Sequence, residues 1–156
     1  MKITDAFLGE HAVFYAQFNY LEKTISETES TDHIKNLAAM LSAALATHAN
    51  LEEELLFMNL EPHLGTQGGP LVVMRVEHNE IEGNLERLLS SDKYSETGSL
   101  LLRVVQVARQ HFAKEEEILY PIAQQVLGEQ TLIQLGDEWA KRRSVCIQAQ
   151  GLPGCH

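Results

Sequence analysis

Two stretches, "THANLEEELLFMNL" (47–60) and "RQHFAKEEEILYPI" (109–122), place a histidine four residues before a glutamate, with two further glutamates directly behind it. On a helix, residues four apart share a face, so His48 with Glu52 and His111 with Glu115 each turn an imidazole and a carboxylate to one side. His78 and Glu82 repeat the spacing, and His11 stands on an earlier segment. Imidazole nitrogens and carboxylate oxygens with no thiolate in range suit iron or manganese better than a structural zinc site. Two alternative metal-binding signatures are absent: the HExxH of a zinc protease and the paired Glu-x-x-His of carboxylate-rich helical bundles.

These residues need helices to position them, and the chain supplies apolar stripes at steps of three and four. The first, over residues 5–27, runs Leu8, His11, Tyr15, Phe18, Leu21, Ile25. The second runs Ile34, Leu37, Leu41, Leu45, His48, Glu52, Leu55. The third is Leu71, Met74, His78, Glu82, Leu85, Leu88, and the fourth is Leu101, Val104, Ala108, His111, Glu115, Leu119, Ile122. Polar or Gly- and Pro-rich pieces separate them: "SETESTDH", where Thr31 or Asp32 is expected to cap the next helix, "EPHLGTQGGP" and "SSDKYSETG". Beyond Gly128 a shorter amphipathic piece, residues 132–146 with Trp139, is expected to pack outside the bundle. The fold class is therefore all-α: an up-down-up-down four-helix bundle with a short additional C-terminal helix. The domain is expected over residues 1–148, with a flexible tail at 149–156.

Residues at one height on antiparallel neighbours have their sequence midpoint in the connecting loop. For His11/His48, His48/His78 and His78/His111 the midpoints fall at about residues 30, 63 and 95, inside the three separating pieces. The four histidines are thus expected in one cross-section, which gives seven inward donors: His11, His48, Glu52, His78, Glu82, His111 and Glu115. Three carboxylates cannot be buried there without a positive partner, and a metal supplies it. Seven donors overfill one ion. Two octahedral ions share about twelve positions; four imidazoles, Glu82, bridging Glu52 and Glu115 and an oxo or hydroxo bridge leave one free for a small ligand. The donor set is expected to hold two metal ions, iron or manganese ahead of zinc. Glu53, Glu54, Glu116 and Glu117 rotate off the stripe and read as solvated surface, with a supporting role for one of them open. His33, His63 and His156 lie at a helix start, in a loop and at the tail, away from the site.

The chain has 156 residues, 44 % of them apolar, and a formal charge of −10. That size makes one domain with its own core, and that charge argues against a sequence-independent nucleic-acid surface; Lys141-Arg142-Arg143 is too short a basic run to change this. No apolar run approaches membrane-spanning length, and the N-terminus lacks a signal-peptide core. Cys146 and Cys155 write no disulfide framework, so a reducing, cytoplasmic setting is expected.

With "GEHAVFY", "THANLEEE", "VEHNEIEG" and "QHFAKEEEILYP" on its four helices, the chain resembles the hemerythrin-like, HHE cation-binding family. The resemblance covers about Phe7 to Gln125. It implies a four-helix bundle with a non-haem di-iron centre, bridged by Glu52 and Glu115 and bound terminally by His11, His48, His78 and His111. Oxygen-carrying hemerythrins place a fifth histidine where Glu82 stands, and an anionic ligand there would favour ferric iron over reversible oxygen carriage. The expected function is to bind, sense or consume dioxygen, peroxide or nitric oxide. Peroxide turnover would draw on Tyr15, Tyr20 or Tyr120 as proton donor; cation binding without redox turnover and iron–sulfur cluster repair are the alternatives. A homo-oligomer or a separate signalling partner is left open.

Overall fold

The computed structural model describes residues 1–28 and 30–146. It contains α1 (Ile3–Glu27), α2 (Thr31–Leu51), α3 (Met58–Leu64), α4 (Pro70–Ser90), α5 (Tyr94–Lys114), α6 (Tyr120–Val126) and α7 (Glu129–Arg142). Two π-helical stretches, Glu52–Phe57 and Glu115–Leu119, join α2 to α3 and α5 to α6, making each pair one continuous rod. The four rods form the expected up-down-up-down bundle, α7 lies against α1, and no strand occurs among the described residues. Residues 149–156, including Cys155 and His156, lie outside the described residues.

The turns are tighter than the sequence suggests. Ser30, not Thr31 or Asp32, caps α2: its hydroxyl accepts the His33 amide at 3.2 Å. Glu61 to Leu64 stay helical through Pro62, and the chain turns only at residues 65–69, where Gly65 and Gly69 take φ of 78° and 79°. The midpoint near residue 63 therefore falls inside α3. The second rod overshoots the start of α4, and the turn runs back to make up the height. Tyr94 to Gly98 belong to α5, whose first residue donates its phenol to the Ile25 carbonyl at 3.1 Å and to that of Thr28.

The stripes hold, with changes of phase. On α1 the buried residues include Ile3, Phe7, His11, Phe14, Phe18 and Leu21, while Leu8 is exposed. Two apolar clusters fill the bundle, one built on Phe14, Phe18, Ile34, Leu88 and Leu101, the other on Phe7, Leu56, Phe57, Leu60 and Leu71. Burying each such side chain stabilises the fold by about 1.5–3 kcal/mol. Between the clusters lies a polar layer of His11, His48, Glu52, His111 and Glu115. An unpaired buried carboxylate costs several kcal/mol, so that layer consumes part of what the two clusters supply.

Candidate metal centre

Two groups of four donors converge in this layer: His11, His48, Glu52 and Glu115 form one, and Glu52, His78, His111 and Glu115 the other. Within each group the donor atoms lie within 4.8 Å of one another, and Glu52 and Glu115 belong to both. Each carboxylate divides its oxygens between the histidine pairs. Glu52 Oε1 is 3.4 Å from His48 Nε2 and Oε2 is 3.5 Å from His78 Nε2. Glu115 Oε2 is 3.4 Å from His11 Nε2 and Oε1 is 3.4 Å from His111 Nε2. Donors at right angles around an ion about 2.1 Å away lie about 3 Å apart, so these spacings suit metal coordination.

The polar atoms themselves call for a cation. Glu52 Oε2, both oxygens of Glu115 and His111 Nε2 are buried without a hydrogen-bond partner, and each such orphan costs about 1–3 kcal/mol. Carboxylates also cover the outer nitrogens of three rings. His48 Nδ1 is 2.5 Å from Glu10, His11 Nδ1 is 2.9 Å from Glu116, and His111 Nδ1 is 3.1 Å from Glu77. A carboxylate only accepts, so Nδ1 carries the hydrogen and Nε2 turns its lone pair inward. His11 Nε2 and His48 Nε2 face each other at 3.1 Å, and a proton or a metal ion must lie between such lone pairs.

Charge in the layer is mutually constrained. Burial pushes the Glu115 carboxyl well above the usual range, and the neighbouring Glu52 pushes the same way. Burial also works against ionised Glu52, but His48, His78 and His11 outweigh it and hold that carboxyl low. Burial pulls the His11 imidazole down to about 3, against the pull of Glu52. For His48 burial is outweighed by Glu52 and Glu10, so its imidazole is raised. Glu10 is held low although burial opposes it, because His48, Arg143 and Trp139 all donate to it. The two carboxyls are thus pushed in opposite directions, Glu115 up and Glu52 down.

The sequence profile of the hemerythrin HHE cation binding domain matches residues 2–123, most of the chain. The chain belongs to the hemerythrin HHE cation-binding family. No curated protein and no solved structure matches it. In this hemerythrin domain the fit between residues and cation rests on the orphaned oxygens and the inward lone pairs, independently of the match.

Six of the seven donors read from the sequence come together; Glu82 does not join them. It is exposed and belongs to neither group, while Ile81 takes the inward position one residue before it. The backbone differs accordingly. Glu52 and Glu115 each open a π-helical stretch, in which the Met58 amide donates to the Glu53 carbonyl and the Tyr120 amide to that of Glu115, five residues back. Glu82 sits within an uninterrupted α-helix. Tyr120, five residues beyond Glu115, donates its hydroxyl to Glu52 Oε1 at 3.0 Å and lies 3.2 Å from His11 Nε2. Burial and the Glu52 charge raise its phenol well above the ordinary value.

The orienting carboxylates Glu10 and Glu77 were not legible, although each immediately precedes a histidine donor; each serves the histidine of a neighbouring helix instead. Of the four glutamates expected on the surface, Glu117 and Glu54 are exposed, the latter paired with Arg142. Glu53 pairs with Arg75, which also holds Glu61 at 2.6 Å. Glu116 takes the supporting role left open for one of them: it lies on the flank toward α1 and reaches both His11 and Tyr15. His33 and His63 are exposed, as is Tyr20.

Proposed function

We propose that the chain holds two iron ions, for which Glu52 and Glu115 would be shared donors, with His11 and His48 completing one group and His78 and His111 the other. The protein would thereby bind, sense or consume a small ligand: dioxygen, peroxide or nitric oxide. One observation carries this reading: each buried carboxylate points one oxygen at each histidine pair. A redox-active pair, when bound, supplies electrons to a small ligand at an open position. A cavity of about 150 Å³ beside the donors supports the ligand's size; His48, His78, His111, Phe112, Ile81 and Glu82 are among its walls. Phe112 stacks on His11 at 3.9 Å and helps exclude water from the donors.

Peroxide consumption has a specific observation in its favour. Tyr120 brings a hydroxyl to the centre of the layer, where it donates to Glu52 Oε1 at 3.0 Å. A cytoplasmic setting, with a separate partner receiving any signal, belongs to the same reading. No helix among the described residues is long and apolar enough to cross a membrane.

Metal analysis of protein made without added metal, with optical spectra, tests the proposal. Two iron equivalents and near-ultraviolet absorption of a ferric pair are expected. A spectrally silent ion such as zinc would instead favour cation binding without redox turnover. Rapid loss of added peroxide would mark an enzyme, and a reversible spectral change with dioxygen a carrier or sensor.

A further inference from the structure

The last helix among the described residues, α7, lies beyond the matched segment, which ends at residue 123, yet it reaches the metal layer. Trp139 Nε1 donates to Glu10 Oε1 at 2.9 Å, and Arg143 Nε donates to the same oxygen at 2.7 Å. The other oxygen of Glu10 takes the Nδ1 hydrogen of His48 at 2.5 Å. Glu10 is thus gripped on one side by the end of α7 and on the other by a metal donor. The helix is seated tightly enough to hold that grip. A Cβ on Gly136 would come 2.1 Å from the Met1 carbonyl oxygen, so α7 meets the start of the chain backbone to backbone. Leu132 anchors it in the neighbouring apolar cluster.

The other orienting carboxylates are held differently. Glu116 takes the Tyr15 hydroxyl at 3.2 Å, and Glu77 takes Lys114 from the same helix as His111. Only one of the two donor groups contains His48. The wiring from α7 is therefore one-sided.

We infer that Trp139 and Arg143 are positioning residues for one metal ion, the one held by His11 and His48. They fix Glu10, Glu10 fixes the ring of His48, and that ion stays bound only while α7 is docked. The inference rests on the reading that each donor group holds an ion. Loss of an orienting partner commonly weakens metal binding about 10–100-fold, and here that loss falls on one equivalent of two.

The test loads the full chain with ferrous iron in the absence of oxygen and follows its release to a coloured ferrous chelator. Wild-type protein that takes up fewer than two equivalents overturns the two-ion reading, before any variant is compared. Given two equivalents, Trp139→Phe with Arg143→Gln should release one about 10–100 times faster and the other at the wild-type rate. Gly136→Ala, which lifts α7 without touching Glu10, should give the same two-phase release, and Arg143→Lys should largely restore slow release. Arg142→Gln, also on α7, removes the contacts to Glu54 and Glu138 but none to Glu10 and should release as wild type does. Release at the wild-type rate in every variant overturns the inference. So does equal acceleration of both equivalents in proportion to lost thermal stability, including in Arg142→Gln, since that is the result of general loosening.

Discussion

Glu52 and Glu115 join the two halves of the centre, and both are wholly buried. Each leaves at least one oxygen without a hydrogen-bond partner, facing a histidine nitrogen. Replacing either removes a donor from both groups at once, so Glu115→Ala is expected to abolish most metal binding. His48→Ala should lower metal content sharply. His63→Ala and Glu82→Ala should each retain the wild-type content, because both residues are exposed and outside the donor groups; elemental analysis checks all four. Protons give a second test at this scale. In metal-free protein burial holds the His11 imidazole at about 3 against an unfolded value of 6.5. Between these values the unfolded chain binds the extra proton, so stability falls as pH drops through that window, with a slope of up to about 1.4 kcal/mol per pH unit. Metal-free His11→Leu should lose less stability than wild type from pH 6.5 downward, as measured by urea unfolding at a series of pH values. Equal slopes would show that His11 does not titrate on unfolding.

Among the elements, the π-helical stretches separate donors that reach the centre from the one that does not. His48/Glu52, His78/Glu82 and His111/Glu115 have the same spacing in the sequence. Only the first and third pairs stand where the helix widens, and only their glutamates are buried. Spacing made the helices and the shared level of the histidines readable, since both follow from rise and periodicity. The wide turns were not readable, because residue order does not declare a change from four-residue to five-residue hydrogen bonding. The same limit hid Glu10 and Glu77: a carboxylate that crosses to another helix depends on how the rods are rotated, and stripes define that only to within a residue. Deleting exposed Glu117 should close the second wide turn into regular α-helix. The expected outcome is normal helical content by circular dichroism with metal content well below wild type. Undiminished loading would show that the π-helical stretch does not position Glu115.

As a whole, the molecule places two apolar clusters above and below one polar layer, and the layer is intelligible only with positive charge inside it. Four helices each contribute a histidine, two of them add a buried carboxylate, and neighbouring helices supply the acceptors that turn the rings inward. Iron-edge anomalous scattering from crystals of metal-replete protein tests this arrangement most directly. Two peaks about 3.5–4 Å apart, lying between Glu52 and Glu115 with one beside each histidine pair, are the predicted result. A single peak, or density elsewhere while the six donors close on one another through hydrogen bonds, would contradict it.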